Sequence, residues 1–481
     1  MSKLIGRISQ KKKLEKALKS DKAELIAIYG RRRVGKTFLI RETYKDSIIF
    51  ELTGLQNGSM RDQLAKFHSV LSALGGQNPA PDSWLEAFQQ LSKFISSRRS
   101  QKKKVIFIDE FPWLDTRRSK FLMWFEDFWN SDASKRNGLV VVICGSAASY
   151  MIKNIVRNTG GLYNRVTCRI RLEPFRLQET KLFLEHKGIS YSNYDVLKIY
   201  MSIGGIPFYL EQLERGESVA QAIDRMCFMK DGLLRKEFND IFASIFEHHE
   251  RHVGIIRMLA TSRKGITRGT ISQKTGIPSG GRLTISLEEL VESGFVEVYP
   301  QFNQAKKDSV YRLSDEYSMF YLKFVESSTA TGLGTWLNKS NGQSYLSWQG
   351  FSFESVCLKH IEYIKYSLGI AAVDSENYSW HEQDKEKGAQ IDLLIDRADN
   401  VINMCEMKFY NAQYTIDKRY AEDLRNKMTL FKEITKTKKN VFITLMSTYG
   451  VKENAYSLEL VQKELTIDAL FIETQVAKGY N

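Results

Sequence analysis

The sequence predicts an α/β protein that begins with a parallel sheet, continues through a helical region and ends in a second mixed region. Compact apolar runs alternate with longer helical patterns over the first two hundred residues, which is typical of parallel sheets buried on both faces. From about Arg176 to His249 the pattern is helical, apart from a break at Gly204–Pro207. From Tyr345 onward, short strands and amphipathic helices alternate again.

Length and composition indicate a folded protein of several domains. The chain has 481 residues, of which 43% are hydrophobic and 12% aromatic, with only 7 prolines. No apolar run approaches the ~20 residues that cross a bilayer, and the polar start Met1–Leu14 does not resemble a secretory signal. The 5 cysteines form no CxxC pair, which favours a reducing compartment over a disulfide or zinc framework. We therefore expect a cytoplasmic protein with no membrane partner.

The formal net charge of +14 suggests a polyanionic partner, but it is unevenly distributed. Residues 1–200 contain 36 Lys and Arg against 19 Asp and Glu, whereas the remaining residues contain 34 against 37. The basic excess therefore belongs to the first part of the chain.

The first region contains a phosphate-binding motif. Its predicted strands are Glu24–Tyr29, Ser47–Leu52, Val105–Ile108, Leu139–Cys144 and Arg169–Leu172. The motif GxxxxGK[ST] follows the first of them as Gly30-Arg31-Arg32-Arg33-Val34-Gly35-Lys36-Thr37. Glycines there let backbone N–H groups turn onto phosphates at a helix N-terminus. Lys36 would reach the β- and γ-phosphates of ATP, and Thr37 would bind Mg²⁺.

The third and fourth predicted strands supply the polar groups expected beside such a loop. The third ends in Asp109 and Glu110, so Asp109 would meet the metal and Glu110 would polarise the attacking water. Ser146 follows the fourth strand, where it would either sense the γ-phosphate or cap a helix.

The middle of the chain has a helix-turn-helix and hairpin pattern, which predicts a winged helix over residues 250–326. Its third helix, Gly280–Ser293, contains Arg282 but also three glutamates. Base-reading helices usually expose basic and amide side chains, so an intramolecular or weakly DNA-binding role is favoured over sequence-specific reading. The following segment, Ser327–Ser344, is rich in Ser, Thr, Gly and Asn and is interpreted as a linker.

The last region contains two carboxylates and a lysine on predicted strands. Asp392 lies in QIDLLI, and Glu406 and Lys408 lie in VINMCEMK, where alternate residues share a face. A hairpin would bring Asp392 beside Glu406, so the two acids could bind Mg²⁺ while Lys408 stabilises charge on a phosphate. Glu354, on the preceding amphipathic helix, would add an acid. Solvated surface charges remain the alternative interpretation of so short a motif.

The first region resembles the AAA+/STAND-type ATPases of archaea and bacteria. Leu4-Ile5-Gly6-Arg7 is similar to the adenine-proximal motif of that family, and Leu172-Glu173-Pro174-Phe175 to a later one. Tyr163-Asn164-Arg165 resembles its Gly-Arg motif, with Asn164 in place of the usual glycine, which implies that Arg165 senses the γ-phosphate. Gly204-Gly205-Ile206-Pro207 resembles the motif of the helical lid, which implies that Gly205 and Pro207 approach the base.

The Asp-Glu-x-Lys pattern of the last region resembles the PD-(D/E)xK nuclease fold, a domain often appended to such ATPases. Together the two resemblances imply an α/β P-loop ATPase with a helical lid, a winged helix and a restriction-endonuclease-like domain. The predicted boundaries are 1–175 for the ATPase core, 176–249 for the lid, 250–326 for the winged helix, 327–344 for the linker and 345–481 for the nuclease-like domain.

These expectations give two functional hypotheses. In the first, ATP and Mg²⁺ binding organises the lid and winged helix, promotes homo-oligomerisation and gates DNA cleavage by the last domain. In the second, the protein is a non-cleaving ATP-dependent switch whose last domain binds DNA or a protein partner. The arrangement of Asp392, Glu406 and Lys408 in the folded chain distinguishes the two.

Overall fold

A computed structural model describes residues 4–98, 102–156, 160–246, 248–262, 264–382 and 388–473. The chain divides into two compact units, Met1–Glu173 and Pro174–Asn481. The division falls two residues before the predicted end of the ATPase core, and the predicted lid, winged helix and last domain share the second unit. Within the predicted last domain, positions 383–387 and 474–481 lie outside the described residues.

The first unit is built on a five-stranded sheet. Its strands are β1 (Glu24–Tyr29), β2 (Ile48–Thr53), β3 (Lys104–Asp109), β4 (Leu139–Gly145) and β5 (Cys168–Arg171). Its helices are α1 (Ile8–Lys19), α2 (Lys36–Tyr44), α3 (Met60–Ala73), α4 (Trp84–Ser97), α5 (Phe111–Leu114), α6 (Phe121–Ser131) and α7 (Ala148–Met151), with a 3₁₀ turn at Ala133–Lys135 and a π-helical turn at Ile152–Val156.

All strand pairs of this sheet are parallel, in the order β2-β3-β4-β1-β5. The parallel sheet expected from the apolar runs is thus confirmed. Every residue of β4 is buried, as expected for a central strand covered by helices on both faces. Because β3, β4 and β1 are neighbours, the loops after their carboxyl ends meet at one edge of the sheet.

An aromatic core packs against this sheet. The apolar positions of α6 recur at helical spacing, and Phe121, Phe125 and Phe128 are buried. The Phe88 ring of α4 stacks on Phe128 with centroids 5.1 Å apart, and Phe111 meets Phe125 edge to face at 4.9 Å. This packing holds α5, and with it the residues just after β3, against the core.

The second unit begins with a helical region. It contains α8 (Leu177–His186), α9 (Asn193–Ile203), α10 (Pro207–Leu210), α11 (Val219–Ile223) and α12 (Leu233–Ile245), with a π-helical turn at Asp224–Phe228. The break predicted at Gly204–Pro207 lies between α9 and α10, because Gly204 has a φ of 69° and Pro207 starts the next helix.

A three-helix segment with a small antiparallel sheet follows, as the winged-helix pattern predicts. It consists of α13 (His249–Ala260), β6 (Ile266–Thr267), α14 (Arg268–Thr275), α15 (Gly281–Glu292), β7 (Val296–Tyr299) and β8 (Val310–Leu313), and continues into α16 (Glu316–Phe320) and a π-helical turn at Tyr321–Val325. The sheet order is β6-β8-β7, and the antiparallel hairpin β7-β8, called the wing below, lies where the winged-helix pattern predicts one.

Part of the predicted linker, residues 327–344, packs against the helical region. It contains the short helix α17 (Thr335–Lys339), whose Trp336 is 1% exposed. The Trp336 ring stacks on Phe228 with centroids 5.5 Å apart, and its backbone N–H donates to Asp224 at 2.6 Å. The segment is polar in composition, but its one buried aromatic residue, Trp336, packs it against the helical region.

The last region forms a mixed five-stranded sheet in the order β13-β12-β11-β10-β9. Strands β9, β10 and β11 are antiparallel, whereas β11, β12 and β13 are parallel. The elements are α18 (Gln343–Lys359), α19 (Ile361–Ser367), β9 (Ser375–Glu382), β10 (Ala389–Arg397), β11 (Val401–Lys408), α20 (Lys418–Thr435), β12 (Asn440–Ser447), α21 (Ala455–Leu460) and β13 (Val461–Thr466), with a 3₁₀ turn at Ile467–Leu470.

The wing is joined to this sheet. Just after β7, Gln301 forms a parallel bridge with Ser379 of β9, and the Phe302 N–H donates to the Ser379 carbonyl at 3.0 Å. The Phe302 ring packs 5.3 Å from that of Phe431 in the core of the last sheet. Backbone pairing and a buried ring therefore fix the chain just after β7 to the last region.

Candidate functional site

The loop after β1 has the backbone that the phosphate-binding motif predicts. Gly30 and Gly35 have φ values of 148° and 90°, in the region that favours glycine. A Cβ on Gly30 would also lie 2.2 Å from the Leu172 carbonyl oxygen, so no larger residue fits there. In the same loop Arg31 and Val34 are buried, Arg32 is exposed and Arg33 is half-buried with a φ of 69°.

Lys36, the first residue of α2, is 6% exposed and reaches back into this loop. Its ammonium donates to the Gly30 carbonyl at 2.9 Å and to the Arg31 carbonyl at 3.0 Å. Lysine presents three donors and no acceptor, so it can exchange these carbonyls for phosphate oxygens. The loop thus holds a buried cation at the N-terminus of a helix, where the helix dipole also favours anions.

Thr37 and Asp109, the two predicted metal ligands of this site, lie in direct contact. The Thr37 hydroxyl donates to Asp109 Oδ2 at 2.8 Å, and Asp109 Oδ1 accepts from the Glu110 N–H at 2.9 Å. Asp109 is 5% exposed. A hydroxyl and a carboxylate in contact offer the oxygen donors that Mg²⁺ prefers, so the pair fits that ion.

Glu110 is held in a strained conformation beside Ser146. Its φ of 45° is left-handed, which is uncommon for a residue other than glycine and is often found at functional sites. Its carboxylate accepts from the Ser146 hydroxyl at 2.6 Å and from the Ser146 N–H at 3.2 Å. Ser146 therefore orients the carboxylate that is predicted to polarise water.

The motif ahead of α1 supports the same loop. Gly6 and Arg7 have φ values of 64° and 57°, and Arg7 is 4% exposed. Its Nη2 donates to the Val34 carbonyl at 3.1 Å. Arg7 thus joins the start of the chain to the phosphate-binding loop.

The remaining predicted nucleotide-binding residues lie outside the phosphate-binding loop. Arg165 is exposed, and Asn164 before it has a φ of 53°, a conformation that asparagine tolerates almost as glycine does. In the second unit, the Phe175 N–H donates to the Gly205 carbonyl at 2.7 Å, and a Cβ on Gly205 would lie 2.0 Å from the Phe175 carbonyl oxygen. Contact of Arg165, Gly205 and Pro207 with ATP stays a prediction.

Comparison with known proteins agrees with the phosphate-binding loop. Residues 6–213 match a family described as an ATPase domain predominantly from Archaea. This part of the chain is therefore similar to an ATPase domain. An uncharacterized protein of Methanocaldococcus jannaschii is 25% identical over 431 residues, which are 89% of this chain and 92% of that protein.

Solved structures of archaeal proteins are also similar to the chain. The Walker-type ATPase of Pyrococcus abyssi aligns with a TM-score of 0.49 at 17% identity, over 66% of this chain and 96% of that one. The ORC2 protein of Aeropyrum pernix aligns with a TM-score of 0.41 at 14% identity, over 66% and 93%. Separately, none of the described helices has both the length and the hydropathy needed to cross a membrane.

The carboxylates and the lysine of the last region come together across β10, β11 and α18. Leu393 pairs with Cys405, so Asp392 and Glu406 occupy the next opposed positions of this antiparallel ladder. Glu406 is 4% exposed, and Lys408 Nζ lies 3.9 Å from its Oε2. The Gln390 side chain donates to Asp392 Oδ1 at 2.5 Å.

Glu354 on α18 belongs to the same cluster. The pKa of its carboxyl is raised to about 8, chiefly by burial and then by the negative charges of Asp392 and Glu406, while the positive charges of Arg312 and Lys408 lower it. Two neighbouring carboxylates thus make ionisation of a third one unfavourable. A hard divalent cation would relieve such repulsion, and the carboxylate oxygens of Glu354, Asp392 and Glu406 are the type of ligand that Mg²⁺ prefers.

Two further residues of this cluster have no counterpart in the sequence motif. Tyr420 and Lys427, seven residues apart on one face of α20, donate to Glu406 Oε2 at 3.1 Å and to Oε1 at 2.6 Å. The Lys408 ammonium also lies 4.3 Å from the centroid of the Tyr420 ring. Their spacing could have indicated a shared helix face, but only folding shows that this face meets β11.

Both oxygens of Glu406 are therefore engaged by side chains of α20. Within the described ranges, no group of three or more acidic, histidine or cysteine side chains is already arranged to hold a metal ion. Binding of a cation at Glu406 requires that Lys427 move away from it.

Proposed function

We propose that the protein is an AAA+/STAND-type ATPase coupled to a Mg²⁺-dependent DNA endonuclease, and that its nucleotide state gates cleavage or assembly. The observation that supports the nuclease part is the mutual influence of Glu354, Asp392, Glu406 and Lys408, which come from three separate elements. Chance surface charges would be solvated, whereas Glu406 is nearly buried and the pKa of Glu354 is raised to about 8.

In the nucleotide site, different residues bind the phosphates, hold the metal and activate the water. Lys36 binds the β- and γ-phosphates after leaving its loop carbonyls, while Thr37 and Asp109 would hold Mg²⁺, which neutralises phosphate charge. Glu110, oriented by Ser146, accepts a proton from the attacking water. The P–O bond to the leaving ADP oxygen breaks as the water oxygen bonds to phosphorus.

In the nuclease-like site, Asp392 and Glu406 would bind Mg²⁺, with Glu354 as a third carboxylate; this ion would supply charge stabilisation at the DNA phosphate. Lys408 stabilises the negative charge that develops on the phosphate oxygens as water attacks phosphorus. As the water oxygen bonds to phosphorus, a backbone P–O ester bond breaks and the leaving oxygen takes up a proton, so the nicked strand has a hydroxyl on one end and a phosphate on the other.

A buried ion pair provides one physical connection between the lid and this site. Glu316 of α16 pairs with Lys359 at the end of α18, the helix that carries Glu354. A Cβ on Gly204, in the predicted lid motif, would lie 3.0 Å from Glu316 Oε2. Gly204 therefore lies next to the ion pair at the end of α18, so a movement of this motif would change the surroundings of Glu316.

The alternative is a non-cleaving switch in which the last region binds DNA or a protein partner. The observation that favours it is the engagement of both Glu406 oxygens by Tyr420 and Lys427. If Lys427 does not leave, the site holds no metal, and its acids serve only to fix α20 on the sheet.

A plasmid assay distinguishes these functions. Supercoiled, linear duplex and single-stranded DNA are incubated with the full chain and Mg²⁺, with and without ATP, and we expect nicking of at least one form that EDTA abolishes. Asp392→Ala should abolish it, whereas Asp396→Ala should not, because Asp396 lies on the same strand but pairs with Lys439. Nicking that persists in a pure Asp392→Ala preparation would refute the nuclease function, and its absence from the wild type would favour the switch.

A further inference from the structure

A buried arginine of the wing has unused hydrogen-bonding capacity. Arg312, in β8, is 5% exposed, and its buried Nη2 has no hydrogen-bond partner among the described residues. Buried guanidinium groups are normally paired, because leaving an N–H without an acceptor is unfavourable. The opposed acid in the hairpin, Glu297, instead accepts the hydrogen bond of the Tyr299 hydroxyl.

The guanidinium group lies beside the helix that carries Glu354. Its carbon is 5.9 Å from the ring centroid of Phe351 and 5.7 Å from that of Tyr299. Phe351 and Glu354 are three residues apart on α18 and so share one face of this helix. Consistently, the charge of Arg312 acts to lower the pKa of the Glu354 carboxyl.

Packing holds the stem of Arg312 in place. A Cβ on Gly265 would lie 2.8 Å from Arg312 Cγ, so the glycine leaves room for this side chain. The wing itself is fixed by the bridge between Gln301 and Ser379. The guanidinium group is thus positioned in advance, which reduces the entropy lost when it binds a ligand.

We propose that Arg312 binds a backbone phosphate of DNA at the nuclease-like site, so that the winged helix contributes a substrate-binding residue to that site. A guanidinium group matches the geometry of phosphate oxygens and forms paired, charge-assisted hydrogen bonds with them. The site otherwise consists of three acids with Lys408 and the Glu406-bound Lys427, and it needs cationic groups to hold a polyanion. This role presupposes the nuclease function proposed above.

DNA binding without cleavage tests this role. Fluorescence anisotropy of a labelled short duplex is measured with the full chain in Ca²⁺ in place of Mg²⁺, across a salt series. Arg312→Met should weaken binding about tenfold or more and reduce the slope of log K against log salt by about one, as expected for one lost phosphate contact. The matched control is Arg257→Met, an exposed arginine of the same winged helix that pairs with Glu326.

Other readouts separate phosphate binding from a structural role. ATP hydrolysis and the thermal midpoint should be unchanged in a folded Arg312→Met variant. If that variant does not fold, Arg312→Lys is tested instead, because it keeps the charge but loses the guanidinium fork. We then expect DNA binding several-fold weaker than that of the wild type. The phosphate-binding role of Arg312 would be overturned if the folded Arg312 variant bound DNA as tightly as the wild type or as the Arg257→Met control.

The outcomes for Arg312 and for the nuclease function are distinguishable. Asp392-dependent nicking together with unchanged binding by the Arg312 variant refutes only the role of Arg312. Absence of nicking from the wild type together with weakened binding by the Arg312 variant refutes cleavage but supports Arg312 as the phosphate-binding residue.

Discussion

The nucleotide site and the nuclease-like site both place acidic side chains next to a lysine, but they are stabilised differently. In the nucleotide site, Lys36 bonds its own loop, Thr37 bonds Asp109, and Ser146 bonds Glu110, so each charged group has a neutral partner. In the nuclease-like site, Glu354 shares its surroundings with two other carboxylates, and its pKa is raised to about 8. The first site is thus ready to bind its ligand, whereas in the second the Glu354 carboxyl keeps its proton up to about pH 8 unless a cation binds beside it.

The largest expected effect is loss of the phosphate-binding lysine. Lys36→Ala should reduce ATP hydrolysis by about 10²–10³-fold or more, because it removes the buried charge facing the phosphates. Phosphate release measures this, and Lys45→Ala, an exposed lysine just after the same helix, is the control. Hydrolysis at the wild-type rate would show that the loop is not the catalytic site. Nicking measured without ATP should be unchanged if the two sites are chemically independent.

The corresponding change in the nuclease-like site is Lys408→Ala. It should reduce Mg²⁺-dependent nicking by about 10²-fold, because charge on the phosphate loses its nearest cation, while ATP hydrolysis stays at the wild-type rate. Gel quantification of nicked plasmid provides the measurement. Lys439→Ala is the matched control, since Lys439 pairs with Asp396 on the same sheet. Equal nicking by both variants would remove Lys408 from the mechanism.

The third prediction tests the raised pKa of the Glu354 carboxyl. Its folded pKa of about 8 exceeds the ordinary value of 4.5, so between these pH values the folded chain keeps a proton that the unfolded chain has lost. The free energy of unfolding therefore falls as the pH rises through this window. Glu354→Gln removes this loss and should be more stable than wild type by about 1–3 kcal/mol above pH 8, allowing for partial exposure, with no difference below pH 4.5.

Denaturation of the full chain at several pH values measures this effect. Glu362→Gln is the control, because the Glu362 side chain is 71% exposed on α19. Adding Mg²⁺ above pH 8 should stabilise the wild type more than the Glu354→Gln variant. A stability difference that does not depend on pH would contradict the clustering of the three acids.

The smallest expected effect concerns the neutral partner of Glu110. Ser146→Ala removes a hydrogen bond to a carboxylate and should lower the rate constant of ATP hydrolysis about tenfold, which corresponds to about 1.4 kcal/mol. Steady-state kinetics should show a change in kcat rather than KM, since Ser146 orients the water-polarising group. Ser96→Ala, an exposed serine of α4, is the control. A change confined to KM would instead indicate that Ser146 contacts the nucleotide.

Sequence patterns predicted the parts of the fold that depend on local chemistry. The phosphate-binding loop requires a buried strand, then glycines at positions 30 and 35, then a lysine. Because these residues are close together in the sequence, the motif predicted the loop. The strands β9 and β13 were missed, because SENYSWHE and VQKELT are largely polar edge strands whose pairing comes from the rest of the sheet. The buried Trp336 was missed because the ring on which it stacks, Phe228, lies far away in the sequence.

By itself, the sequence determined the phosphate-binding loop, the order of the strands around it along the chain, and the identity of the acids and lysine in the last region. Only the tertiary structure decided that Glu354, Asp392 and Glu406 influence one another, that Tyr420 and Lys427 hold Glu406, and that the wing places Arg312 beside them. The physical reason is the distance along the chain between the residues that interact. A phosphate-binding loop is made by consecutive backbone dihedrals, whereas a charge cluster depends on burial and on distances between elements far apart in the chain.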